Sequence, residues 1–172
     1  MKKHIVLIGL PGSGKTTVGR IVAEKLSAGF VDIDSMLNRK EGKPIAMIFA
    51  EKGEPAFRDM ERKEMEAALA NPPAVLAPGG GWAAQPGALE SAKLAGYVIY
   101  LKTRPETAAS RAAPSGTRPM LMGDDPEAQM RVLIKEREPF YARADVTVET
   151  DKKTPEQVAA EVVRLAQTSA AW

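Results

Sequence analysis

The order of apolar and amphipathic runs predicts a three-layer α/β/α fold on a five-stranded parallel sheet. Three observations carry this reading. Five β-like runs alternate with helix-like runs, the pattern of strands joined by helical crossovers. The first run, HIVLIG at 4–9, is apolar at almost every position, as in a strand covered on both faces. The loops after the first three strands are the richest in glycine and aspartate, and ligands of such sheets bind at the carboxyl ends of the strands.

Each element follows from local pattern. Lys15 to Leu26 reads as a helix with Val18, Ile21, Val22 and Leu26 on one face. Phe30 to Ile33 is a short second strand, followed by helical material from Ser35 to about Lys40. Residues 44–52 form an apolar-periodic helix. Glu54-Pro55 opens a longer one to Ala70, with proline in the first turn and Phe57, Met60, Met65 and Leu69 facing the core. Asn71-Pro72-Pro73 ends it. Strands three and four are 74–78 and 96–102. A helix at 105–112, a loop at 113–125 and a helix at 126–137 precede a fifth strand, Asp145 to Glu149, and a closing helix, Pro155 to Ala166.

Composition narrows the class. The 172 residues suit one domain, 1–172, whose 112–125 segment, rich in Pro, Ser, Gly and Thr, is expected to act as a mobile lid. A net charge of +2 with intermingled signs argues against nucleic acid or an anionic membrane as partner. Cysteine is absent, which excludes disulfides and thiolate metal sites. The apolar run after Lys2 and Lys3 is too short for a secretory signal, so a cytoplasmic protein is expected.

Gly9-Leu10-Pro11-Gly12-Ser13-Gly14-Lys15-Thr16 matches the P-loop pattern G-x-x-x-x-G-K-[ST], after an apolar strand and at the head of a helix. Backbone N–H groups around Gly12, Ser13 and Gly14, with Lys15, Thr16 and Thr17 behind them, should cradle the phosphates of ATP. Lys15 can reach the β- and γ-phosphates, and the Thr16 hydroxyl can serve Mg²⁺. Strands three and four supply no acidic residue for the metal. The nearest are Asp32 and Asp34, on one face if the segment is extended. One would support the metal and the other would take or orient a proton from a hydroxyl nucleophile. The plainer role for Asp34 is a cap on the following helix.

Gly79-Gly80-Gly81 after strand three suggests close approach of a ligand to the backbone. Arg118-Pro119 lies in the lid, where an arginine could close over a γ-phosphate. Spacing alone makes Arg58, three residues before Glu61, and Arg137 solvated charges.

Taken together, FVDID (30–34), GEPAFRDME (53–61), GGG (79–81), RPML (118–121) and REPFYARAD (137–145), in that order after the P-loop, resemble the shikimate kinases across nearly the whole chain. The resemblance implies a nucleoside-monophosphate-kinase-like fold and ATP-dependent phosphorylation of the 3-hydroxyl of shikimate. A kinase of another small polyhydroxylated acid, such as gluconate, is the alternative in the same class. A nucleotide-binding module that transfers no phosphate is the alternative outside it. By resemblance, Asp34 binds the substrate hydroxyls and acts as base or orienting group, while Asp32 and Thr16 serve the magnesium. Arg58 and Arg137 grip the carboxylate, with backbone from Gly79, Gly80 and Gly81. Arg118 is the lid arginine, Arg111 packs on adenine, and the Thr154-Pro155 turn lines that base. The expected partners are ATP and shikimate alone, on a monomer. Trp82, bulky where the family has a small apolar residue, is expected to bear on the substrate rim, as are the acids of 122–125.

Overall fold

The computed structural model describes residues 1–112 and 125–172. Five parallel strands form one sheet in the order β2-β3-β1-β4-β5. They are β1 (His4–Ile8), β2 (Phe30–Asp32), β3 (Val75–Ala77), β4 (Gly96–Lys102) and β5 (Val146–Glu149). The helices are α1 (Lys15–Leu26), α2 (Ile33–Glu41), α3 (Ile45–Lys52), α4 (Glu54–Ala70), α5 (Ala88–Ala95), α6 (Pro105–Ala112), α7 (Pro126–Tyr141) and α8 (Pro155–Ser169). A 3-10 turn spans Trp82–Ala84.

Alternation along β1 divides the interior into two cores, because successive side chains of a strand point to opposite faces. Ile5 and Leu7 pack with α1 and α8 residues such as Val18, Val22, Val158 and Val162. Val6 and Ile8 pack on the other face with Leu37, Ile48, Phe57, Met65 and Met130. Both faces are therefore dry, which explains the unbroken apolar run. β1 lies between β3 and β4. The chain places β2 and β3 on one side of it and then crosses to β4 on the other, so the switch in strand order falls beside the loop that follows β1.

The register is pinned at the opposite end. His4 is 3% exposed, and its Nδ1 accepts the Ala74 N–H at 3.2 Å. Nε2 must then carry the proton, and it donates to the Leu69 carbonyl at 3.1 Å. One neutral imidazole thus ties β1 to the turn between α4 and β3.

Several boundaries coincide with the local reading, including α1, α4 and β4. Three differ. The strand expected to reach Ile33 stops at Asp32, because Asp32 caps α2 by accepting the Ser35 N–H at 3.1 Å. Local pattern assigns no element to the segment that holds the 3-10 turn and α5; this helix is short and begins after Gly87. The helix expected to end at 137 runs to Tyr141, through Pro139. Proline there deletes one backbone hydrogen bond. Tertiary contacts outweigh that loss: the Tyr141 hydroxyl donates to the Gly80 carbonyl at 2.6 Å and its ring lies 4.9 Å from that of Tyr100. Tyr100 in turn donates to Glu138 Oε2 at 2.5 Å. Burial and then this carboxylate push the Tyr100 phenol well above its usual pKa, so it remains a donor. Residues 113–124, most of the expected lid, lie outside the described residues.

His4→Ala leaves the Ala74 N–H and the Leu69 carbonyl buried without this partner. It should lower unfolding stability by about 2 kcal/mol in a denaturant titration, with the chain still folded.

Candidate active site

The phosphate loop joins β1 to α1. Gly14 sits at φ 95°, a left-handed conformation that glycine adopts without steric cost. A side chain on Gly9 would come within 2.7 Å of the Leu101 carbonyl of the adjacent β4. The loop is thus closed tightly over the sheet edge, and the N-terminus of α1 opens onto it. Lys15 is buried, and its Nζ donates to the carbonyls of Gly9 at 2.8 Å and Leu10 at 3.0 Å. Its cation is held inside the ring of the loop rather than projecting into solvent.

Asp32 and Asp34 do not share one face of a strand. The turn into α2 parts them, because Ile33 is drawn fully into the core as the first residue of the helix. The cap that spacing offered to Asp34 belongs to Asp32. Asp32 Oδ1 takes the Ser35 N–H, and Oδ2 accepts the Thr16 hydroxyl at 2.5 Å. One carboxylate is therefore directed to the phosphate loop. Asp34, in the first turn of α2, is directed to Gly79, where an added β-carbon would lie 3.1 Å from its Oδ1.

A small cavity opens beside Pro11 of the phosphate loop. Asp34, Arg58, Glu61 and Arg137 place charge in it, and Gly79, Gly80 and Gly81 form one side. Arg137 is 6% exposed and the Arg58 side chain 11%, so the expectation that both are solvated is overturned. Arg58 does pair with Glu61 one helical turn on, Nη1 to Oε1 at 2.9 Å, but Glu61 is fully buried and this is no surface pair. Buried charges need such partners, since an isolated one costs several kcal/mol to desolvate. Glu54 adds a longer contact to Nε at 3.6 Å. The guanidinium also lies 5.4 Å from the Phe57 ring and 5.9 Å from that of Phe49, both on the cavity wall.

The triple glycine is explained by these same side chains. A β-carbon on Gly79 would lie 2.5 Å from Glu61 Oε2, and one on Gly80 would lie 2.9 Å from Arg137 Nη1. One on Gly81 would clash with the Arg58 guanidinium. The close approach expected of a ligand is thus made first by the protein's own charged groups.

A second cleft lies on the other side of the phosphate loop. Ser13, Gly14 and Thr17 face Arg111 and Pro155 across it. Thr154 is the N-cap of α8, in a capping box with Gln157. The cleft thus unites the loop with Arg111 and the start of α8. Arg118 falls outside the described residues. Trp82 does not form the substrate rim. It is 3% exposed and lines a groove with Met65, Gln85 and Ala88 instead of the cavity beside Pro11. Of the acids in 122–125, Asp125 caps α7 by accepting the Ala128 N–H. Asp124 falls outside the described residues.

Local pattern missed two contributors. Glu61 was visible only as a helical i+3 neighbour of Arg58, and Tyr141 only as an aromatic in REPFYARAD. Neither spacing reveals that 79–81 packs against both.

The shikimate kinase family model matches residues 11–167. A shikimate kinase of Caldanaerobacter subterraneus is 41% identical over 94% of this chain and 95% of its own length. One of Thermobifida fusca is 45% identical over 90% and 89%, respectively. The structure of shikimate kinase from Acinetobacter baumannii in complex with shikimate superposes with a TM-score of 0.93 at 36% identity, covering 98% of this chain and 94% of that one. With family match, relatives and fold in agreement over almost its full length, the chain belongs to the shikimate kinase family.

Proposed function

We propose that this protein transfers the γ-phosphoryl group of ATP to the 3-hydroxyl of shikimate, giving shikimate 3-phosphate and ADP. The observation that carries the reading is the convergence of Asp34, Arg58 and Arg137 in one cavity beside the phosphate loop. Two guanidinium groups lining one small cavity match a carboxylate, which they can hold bidentately. The carboxylate beside them suits the hydroxyls of the same small molecule.

Lys15, Gly12, Ser13, Gly14, Thr16 and Thr17 hold the triphosphate, with the base between Arg111 and the Thr154-Pro155 turn. Arg118 acts from the lid on the transferring group. Thr16 and Asp32 would hold Mg²⁺. Their hydroxyl–carboxylate contact offers hard oxygen donors, and one carboxylate plus substrate phosphates is the usual magnesium set. Among the described residues no cluster of three or more metal-binding acids or histidines occurs, which accords with a metal held largely by the nucleotide. When bound, the ion neutralises charge on the phosphate oxygens.

The acceptor is oriented by its carboxylate on Arg58 and Arg137, and by its hydroxyls on Asp34. The 3-hydroxyl oxygen forms a bond to the γ-phosphorus as the bond from phosphorus to the bridging oxygen of ADP breaks. Asp34 takes or directs the hydroxyl proton. Lys15 draws its cation toward the charge that develops on the phosphates. The enzyme is read as cytoplasmic, with small molecules as its partners. No helix among the described residues is long and apolar enough to cross a membrane.

A coupled ADP-release assay across shikimate, gluconate and nucleoside monophosphates tests the reading. Stimulation by shikimate is expected, and stimulation only by another acceptor would sink it. Asp34→Asn should cut kcat by about a hundredfold or more while leaving ATP affinity within a few-fold. A defect confined to ATP binding would instead move Asp34 to the nucleotide. Arg58→Lys keeps the charge but loses the fork, so KM for shikimate should rise about tenfold. An unchanged KM would remove Arg58 from the carboxylate clamp.

A further inference from the structure

We infer that Tyr141 is a positioning residue for the acceptor, acting through the backbone of Gly80 and Gly81. The inference rests on the reading of this cavity as the shikimate site. Tyr141 is fully buried and stands outside the cavity wall, yet its hydroxyl donates to the Gly80 carbonyl at 2.6 Å. That carbonyl and the Gly81 N–H belong to the same planar trans peptide and point in opposite directions. Fixing the oxygen on Tyr141 therefore fixes the direction in which the Gly81 N–H is offered. The following carbonyl, of Gly81, is held in turn by Gln85 Nε2 at 3.2 Å. Two consecutive peptide planes of a segment without side chains are thus locked by hydrogen bonds to their oxygens.

The same helix face sets the companion cation. Arg137 lies one turn before Tyr141 on α7, and its Nη1 is the atom nearest to where a Gly80 β-carbon would stand, at 2.9 Å. α7 thereby meets Gly80 on two sides: Tyr141 bonds its carbonyl, and the Arg137 guanidinium fills the space a β-carbon would take. The spacing between the guanidinium and the backbone donors is then a property of one rigid helix rather than of a glycine loop. Tyr141 is itself held in place by the Tyr100 ring, which is anchored by Glu138. This support explains why α7 continues through Pro139: ending the helix there would release the tyrosine that fixes the loop.

The test is Tyr141→Phe, which keeps the ring and deletes only the donor. KM for shikimate should rise about tenfold, the effect of losing one hydrogen bond that holds a binding group. KM for ATP should stay within about twofold and kcat should change less than KM. Tyr100→Phe, which removes the anchor of the ring behind Tyr141 but keeps the Tyr141 donor, should lower Tm and raise KM for shikimate less than Tyr141→Phe does. Gln85→Ala should raise that KM about threefold through the second carbonyl, and it carries the test if Tyr141→Phe does not fold. In an Arg137→Lys background the Tyr141→Phe penalty should shrink, because both act on one carboxylate contact. A parent enzyme active on shikimate whose Tyr141→Phe variant loses only Tm, or loses affinity for both substrates equally, overturns the inference alone. A parent with no shikimate-dependent turnover overturns the functional reading and the inference together.

Discussion

Two arginines and two carboxylates share one small buried cavity, and charge at that density is stable only if each group finds a partner at close range. Space for such pairing exists because residues 79–81 carry no side chains. Asp34 and Glu61 approach Gly79, Arg137 approaches Gly80 and Arg58 approaches Gly81. The rest of the site follows from this crowding. Glu61 holds Arg58 by one nitrogen, and Glu54 and the Phe49 and Phe57 rings border the rest of the guanidinium. A buried, partnered arginine has less conformational freedom left to lose than a flexible surface arginine.

The sheet brings these groups together. Its parallel strands all end at one edge, and the order β2-β3-β1-β4-β5 sets β3, which leads into the glycines, directly beside β1, which leads into the phosphate loop. β2 lies next to β3 and delivers Asp32 in register with Ala77. Three loops from distant parts of the chain thus emerge from three neighbouring strands, with the glycine loop in the middle. Two acids that read as a single local feature are distributed by a helix start. Asp32 turns to Thr16 on the phosphate loop and Asp34 to the glycines, so the two carboxylates face different parts of the site.

Rigidity is distributed unevenly around the site. The glycine wall of the cavity is fastened from behind by α7, where a tilted tyrosine pair, a buried hydroxyl and a carboxylate outweigh the hydrogen bond lost at Pro139. The phosphate loop is fastened from within, by the Lys15 cation on its own carbonyls. At the far end of β1, His4 bonds both sides of the turn that leads to β3. The two central strands therefore keep their register, and with it the relative height of the two loops.

Much of this was legible in the sequence because it is local. The apolar periods of α1, α4 and β4 repeat within single turns or residue pairs, and the phosphate loop is a contiguous pattern whose glycines and lysine act on neighbours. The order of the motifs was sufficient to point to the family. What the sequence could not decide was which charges are buried. Arg58 next to Glu61 is indistinguishable, by spacing, from any surface pair on a helix, and Arg137 from any solvated cation. Nor does spacing show that Asp32 rather than Asp34 caps α2, that Trp82 turns away from the cavity, or that α7 outlasts its proline. Most of these depend on segments far along the chain; the Asp32 cap is local, but its other oxygen is fixed by Thr16 on the phosphate loop. Local pattern registers only what a residue's neighbours in sequence require; burial and hydrogen-bond geometry are settled by what the tertiary fold sets against it.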